Sequence, residues 1–292
     1  MCEMKPDWTG IWEEGNRKWM NEMIIEHGSL SKAWDKGAEG YKDYENDLKY
    51  SDYMEPIKKI LSHKPQTVLD IGAGAGVFAI PLAKKVKNVV VIEPSQVTLD
   101  LLKEKVRVND LTNIKSLCKK WEEVSEKELL ELNQGRFDAV LSFHSLGGIT
   151  DTIQSLRRMN DVCSGFVYLL IGSSDFNREP DFQNLYLQLF KKLPLSIPDY
   201  ACIYMILREM GIEPDIEMVN SCIEKPVASI DELVDEWARY RLMGKKVTKT
   251  QKIKVKDYLS EKIKEMKRKA GGLFFEYRYQ SALIYWKAGE ER

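Results

Sequence analysis

Residues 67–78, Thr-Val-Leu-Asp-Ile-Gly-Ala-Gly-Ala-Gly-Val-Phe, constrain this chain more than any other stretch. The apolar residues at 67–69 suit a parallel strand covered on both faces. Gly72, Gly74 and Gly76 then alternate, which frees the backbone and removes Cβ atoms where a ligand must come close. A helix leaving such a loop aims unpaired N–H groups and a positive dipole end at that ligand. The unit therefore belongs in an α/β sheet, with its ligand at the carboxyl end of the strand.

The segments that follow repeat the alternation. Residues 88–92 form a β-branched strand, and Glu93 falls at its carboxyl end, where ligands bind in open α/β sheets. A carboxylate there can accept both ribose hydroxyls of an adenosine. Pro94 closes the strand and Ser95 is placed to cap a helix over 96–108. A short strand ends near Leu117, before the turn Cys118-Lys119-Lys120-Trp121-Glu122. A fourth strand over 138–143 ends before His144, and a fifth spans 165–174. Five strand–helix units in succession predict a doubly wound parallel sheet. Gly74-Ala-Gly76-Val-Phe-Ala79 also fits the loose Gly-x-Gly-x-x-Ala of a dinucleotide fold, a pattern short enough to recur by chance.

Two segments carry a more specific likeness. The spacing Asp70-x-Gly72-x-Gly74-x-Gly76 resembles motif I of the class I S-adenosylmethionine-dependent methyltransferases, and Phe137-Asp-Ala-Val-Leu-Ser-Phe143 resembles motif IV of that superfamily. The likeness covers residues 60–175, and more loosely 273–286, which resembles the final antiparallel strand of that sheet. It implies an α/β fold with a doubly wound, seven-stranded, mostly parallel sheet. An N-terminal helical lid over 1–58 would precede a core over 59–292, with insertions at about 175–211 and 229–271. It implies S-adenosyl-L-methionine as cofactor, leaving as S-adenosyl-L-homocysteine. Asp70, Gly72, Ala73, Gly74 and Gly76 would then surround the methionine part, with Asp70 helping to hold its amino group. Glu93 and Pro94 would lie at the ribose, Lys120 and Trp121 at the adenine, and Phe143 and His144 where donor meets acceptor. The turn at 118–122 departs from the family pattern, which has an acidic residue there. Trp121 flanking the ring, Glu122 acting one step later, and Trp121 packing only on the helix 125–132 all remain open.

The catalytic candidates are His144 and Tyr41. An unperturbed histidine titrates near pH 6.5, which suits a general base, although a histidine that only shapes the pocket fits the same position. Residues 1–58 hold four of the seven tryptophans. The resemblance makes Tyr41 and Trp34 candidates to reach over a sulfonium, an arrangement worth roughly 0.5–2 kcal/mol. A helix pair that packs its aromatics on the core is the competing reading.

Charge and cysteine usage narrow the function classes. The 292 residues have a net charge of −1, so no global basic field favours nucleic acid. The lysines between 246 and 269 are interleaved with Asp257, Glu261 and Glu265, which reads as a solvated helix face. There is no apolar run long enough to span a membrane, and the first residues lack the apolar core of a signal peptide. Five scattered cysteines without Cys-x-x-Cys spacing predict neither a metal site nor a disulfide framework, and suggest a reducing, cytoplasmic setting. The expected function is methyl transfer to a small-molecule acceptor by in-line displacement in a lidded pocket. A tRNA or protein methyltransferase, an NAD(P)-linked oxidoreductase and a non-catalytic adenosyl-ligand sensor stay open. Asp70 before the glycines, the strand-four segment and the late antiparallel strand weigh against the oxidoreductase. Ser142-Phe-His-Ser145 stands where the Asn-Pro-Pro-Tyr type signature of base or glutamine methylation would be.

Overall fold

The computed structural model describes residues 6–36, 53–173, 179–195, 198–242, 247–263 and 273–289. Its sheet contains β1 (Thr67–Ile71), β2 (Asn88–Ile92), β3 (Ile114–Leu117), β4 (Phe137–Phe143), β5 (Cys163–Gly172), β6 (Asp215–Val227) and β7 (Leu273–Lys287). The strands lie in the order β3-β2-β1-β4-β5-β7-β6. β1 to β5 pair in parallel, and β7 runs antiparallel to β5, from Phe166 opposite Lys287 to Gly172 opposite Ser281. The chain steps from β1 outward to β3, then returns to β4 on the other side of β1. β1 and β4 therefore flank the switch point, and the crevice beyond their carboxyl ends is where such a sheet binds ligands.

Successive residues of each strand feed two separate cores, as the period of two requires. Leu69, Ile71, Val90, Ile92, Val140, Val167, Leu169 and Ile284 pack on one face. Val68, Val89, Val91, Ala139, Leu141, Tyr168, Leu170 and Leu283 pack on the other. Asp70 shares the parity of Val68, so a carboxylate occupies a position of an otherwise apolar row.

The helices that belong to this sheet are α1 (Trp8–His27), α2 (Met54–Ser62), α3 (Ala79–Ala83), α4 (Gln96–Val108), α5 (Glu126–Asn133) and α6 (Thr152–Asp161), followed later by Tyr200–Glu209. Their ends follow capping chemistry. Asp7, Ser95, Ser125 and Asp151 each accept a backbone N–H from the first turn of α1, α4, α5 and α6 respectively. The helix expected over 77–86 is only Ala79–Ala83. Pro81 lacks an N–H, and the chain beyond closes with a tighter bond from Lys85 N–H to Leu82 O at 2.8 Å. α2 is fixed to its face by Lys59, whose Nζ is 2.6 Å from Glu217 and 4.3 Å from the Tyr285 ring centroid.

Contacts divide the chain into two compact units, Met1–Ser173 with Ile197–Val219 and Gln280–Arg292, and Ser174–Ser196 with Asn220–Tyr279. The first holds the sheet core and Tyr200–Glu209, here α8. The second holds α7 (Pro180–Phe190), α9 (Ile230–Arg241) and α10 (Lys249–Ile263). Within it, Trp237 packs 6.1 Å from Phe182 and 5.7 Å from Tyr258. Lys256 of α10 pairs with Asp231 at 2.8 Å, and Lys252 pairs with Asp235. Those lysines thus pair with carboxylates of the preceding helix. No helix among the described residues is long and apolar enough to cross a membrane.

Candidate active site

The glycine loop hangs from the end of the neighbouring strand. Gly72 and Ala73 both donate their N–H to Ile92 O, at 2.8 and 3.2 Å. Gly72, Gly74 and Gly76 adopt φ of 72°, 56° and 86°, the left-handed region that side chains resist. Space is as restrictive as angle at two of them. A Cβ on Gly72 would lie 2.3 Å from Ser145 Cβ, and one on Gly76 would lie 2.2 Å from Leu102 Cδ1. The loop is thereby pressed between the exit of β4 and helix α4.

Ser145 also closes the switch point. Its hydroxyl donates to Ile71 O at 2.7 Å, so the Ser142 hydroxyl, 2.8 Å away, donates to Ser145. The exits of β1 and β4 are joined directly beneath the crevice.

Glu93 reaches back over the loop. Gly74 N–H donates to its Oε2 and Ser95 N–H to its Oε1, each at 2.9 Å. Burial raises its pKa above the ordinary carboxylate value, opposed by these two backbone bonds. Asp70 is more isolated. It is 2% exposed, its Oδ2 has no hydrogen-bond partner among the described residues, and burial, with Glu93 beside it, raises its pKa to about 7. A third carboxylate, Asp35, accepts the Ser95 hydroxyl at 2.7 Å. Ser95 Oγ already accepts Thr98 N–H and the Thr98 hydroxyl, so its one proton is directed to Asp35. Three acidic groups at the carboxyl ends of β1 and β2 suit a ligand with a cationic group and hydroxyls.

The other side of the crevice is aromatic. Phe143 lies edge-on to Phe78 at 4.5 Å, Phe78 edge-on to Tyr53 at 5.0 Å, and Tyr53 edge-on to His144 at 6.4 Å. His144 has a φ of 54° and donates its N–H to Leu170 O at 2.8 Å, so the backbone turns sharply as β4 ends. The residue is exposed to solvent. Protein packed around it pushes the imidazole below the ordinary histidine value. Its exposure to water keeps that depression smaller than a sealed pocket would impose.

Of the residues expected at the site, the structure brings Asp70, the glycine loop, Glu93, Pro94, Phe143 and His144 to one edge of the sheet. Lys120 is exposed, and its N–H donates to Glu123 Oε2 at 3.1 Å. Trp121 is 3% exposed, packs in the core with Val124 and Leu129, and has the Arg158 guanidinium 4.2 Å over its ring. Glu122 accepts both the N–H and hydroxyl of Thr150, at 2.8 and 2.9 Å. Tyr41 lies outside the described residues. Trp34 is described, and sits where a Cβ on Gly148 would come within 3.2 Å of its ring.

The chain matches the family described as a methyltransferase domain over residues 44–207. It belongs to that methyltransferase family. The glycine loop, Asp70 and Glu93 lie inside the matched region. In fold it is similar to YcgJ from Bacillus subtilis, at 13% identity and a TM-score of 0.54, over 81% of this chain and 99% of that one. It is also similar to a candidate methyltransferase from Bacillus halodurans C-125, at 16% identity and a TM-score of 0.52, over 80% of this chain and 99% of that one. A protein of Methanosphaera stadtmanae named as ribosomal RNA small subunit methyltransferase A is 36% identical over 77 residues, 26% of this chain and 26% of that protein. The match to that curated relative thus spans about a quarter of its length.

Sequence reasoning singled out the loop and Glu93 but not Asp35 or the structural role of Ser145. Asp35 carries no motif, and its partner is 60 residues away. Ser145 follows Ser142 at a spacing with no meaning until β4 is known to end between them. Cys163 and Cys202 are buried, and burial raises their thiols to about 12 and about 11, so neither serves as a nucleophile at neutral pH.

Proposed function

We propose that this methyltransferase acts on a small-molecule acceptor held under its own N-terminal segment. The observation that supports this reading is the path of the helical residues 30–36. Trp34 lies against Gly148, past β4, while Asp35 accepts from Ser95, past β2. One short stretch is thus attached on both sides of the switch point. A crevice roofed in this way suits a small acceptor better than a nucleic acid helix or a protein surface.

The residues present fit the cofactor. The buried, unpartnered Asp70 Oδ2 needs a cationic donor, and the glycine loop leaves no room for side chains beside it. In this reading Asp70 holds the ammonium group, directly or through water, and becomes ionised when it does so. Glu93 is fixed by two N–H groups and keeps lone pairs on both oxygens for the ribose hydroxyls. Pro94 and the backbone of the 118–121 turn border the adenine side, with Lys120 at its rim and Trp121 as a buried brace. Bound there, the cofactor supplies an electrophilic methyl group on a sulfonium. The chain's own contribution is alignment and exclusion of water, worth up to roughly 7–11 kcal/mol of the barrier in ideal cases. Phe143, Phe78 and Tyr53 keep the floor of the crevice apolar. His144, largely neutral at pH 7, can take a proton from an acceptor hydroxyl or amine on a free ring nitrogen.

The test is incubation with methyl-tritiated S-adenosylmethionine and, separately, a small-metabolite extract, total RNA and total protein. This reading expects label in the small-molecule fraction. Label in RNA alone would replace it with the nucleic-acid alternative, which the short ribosomal RNA methyltransferase match keeps in view.

A further inference from the structure

One side of α1 carries three donors that have no acceptor among the described residues. Trp12, Asn16 and Trp19 stand at i, i+4 and i+7, on one side of the helix. Trp12 and Asn16 are each 3% exposed. Trp12 Nε1, Asn16 Nδ2 and Trp19 Nε1 are all buried without a hydrogen-bond partner among the described residues. Buried N–H groups are nearly always paired, because an unmet one costs stability. Three on one helix face call for an explanation beyond packing.

Their location supplies it. Asn16 Oδ1 is 3.5 Å from where a Cβ on Gly147 would sit, and the Trp19 ring is 5.6 Å from that of Trp34, which lies against Gly148. The turn Leu146–Gly148 begins two residues after His144. The donor row therefore reaches the wall next to the transfer site at Asn16 and Trp19, and continues inward to Trp12, which belongs to the core with Cys202 and Ile203.

We propose that Trp12, Asn16 and Trp19 form a subsite that grips oxygen atoms of the methyl acceptor, a planar molecule with carbonyl or phenolic oxygens. This rests on reading the crevice as a small-molecule site. Two indoles and an amide are neutral donors, matched to neutral oxygen acceptors. A phosphate would lack a countercharge on this face and would meet Glu13, whose carboxylate accepts Thr152 N–H at 3.2 Å. The Trp19 and Trp34 rings, tilted by 43°, offer apolar surface to the flat part of such a molecule.

The experiment follows the indole N–H signals of the nitrogen-15-labelled full chain, assigned with Trp12→Phe and Trp19→Phe. Acetophenone is titrated against ethylbenzene, its oxygen-free counterpart, with and without S-adenosylhomocysteine. The Trp12 and Trp19 signals are expected to move downfield with acetophenone and stay with ethylbenzene. Asn16→Leu should bind acetophenone about tenfold more weakly. Its unfolding midpoint without ligand should not fall, since it removes an unmet donor. If Trp12→Phe does not fold, the Trp19 signal and Asn16→Leu decide. No downfield movement in any of these titrations, or a clear loss of stability in Asn16→Leu, overturns the subsite. Indole shifts without any binding of S-adenosylhomocysteine would instead overturn the placement of the cofactor and leave the subsite standing.

Discussion

Replacing Asp70 by asparagine is expected to stabilise the ligand-free protein above neutral pH and to weaken cofactor binding. The Asp70 carboxyl is 2% exposed, and burial, with Glu93 next to it, raises its pKa from 3.8 to about 7. In the unfolded chain it loses its proton near its ordinary value; in the folded protein it keeps that proton until about pH 7. Between those limits the folded state binds more protons than the unfolded one, so stability falls as pH rises through this window and levels off above it. A separation of about three units corresponds to about 4 kcal/mol, at about 1.36 kcal/mol per unit. Asparagine removes the charge but leaves an amide with unmet donors, at about 1–3 kcal/mol. The net gain for Asp70→Asn is therefore about 1–3 kcal/mol at about pH 8–9, shrinking to nothing or reversing near pH 5. Urea unfolding of both proteins across that range measures it. A stability difference independent of pH would refute the reasoning, because it would mean that Asp70 ionises alike in the folded and unfolded chains.

Three further outcomes are expected. Glu93→Ala should bind S-adenosylmethionine at least tenfold more weakly, since two ribose hydroxyls lose a charged acceptor; calorimetric titration reads it, and parent-like affinity removes Glu93 from the site. His144→Ala should lower kcat by about 10²-fold with the true acceptor, and the parent's rate should rise through a pKa below the ordinary histidine value; an unchanged maximal rate excludes the base role. Gly72→Ala places a Cβ 2.3 Å from Ser145 Cβ at a φ of +72°, which should cost about 1–3 kcal/mol or more in chemical denaturation; an unshifted midpoint would show that the loop yields freely.

The parts of the molecule that were legible in the sequence are those set by local pattern. The buried rows of β1, β2 and β4 and the alternation at Gly72, Gly74 and Gly76 need only neighbouring residues to be read. Ser95 as a helix cap was legible for the same reason, and Ser95 Oγ does accept Thr98 N–H. What the Ser95 proton does was not, because its acceptor is Asp35 in a segment with no fixed register to the sheet. Asp138 shows the same limit within a motif. It stands beside Phe137 in the strand-four signature, yet its carboxylate accepts Gln66 and Thr67 N–H at the amino end of the sheet, far along the strand from His144. Lys256 was read as part of a solvated helix face, and its side chain is partly exposed; its pairing with Asp231 of α9 was not legible, because that contact is set by how two helices dock. The unmet donors of Trp12, Asn16 and Trp19 are invisible in sequence for a related reason. Only the packed structure shows which polar atoms are enclosed without a partner.

The central claim is that the carboxyl ends of β1 and β2 hold S-adenosylmethionine through Asp70, the glycine loop and Glu93. Calorimetric titration of the full chain with S-adenosylmethionine, S-adenosylhomocysteine, NADH and NADPH tests it most directly. The account predicts saturable binding of the first two alone, with proton release at about pH 6 as Asp70 ionises against the bound ammonium. Binding of a nicotinamide cofactor in place of both sulfur compounds would contradict it.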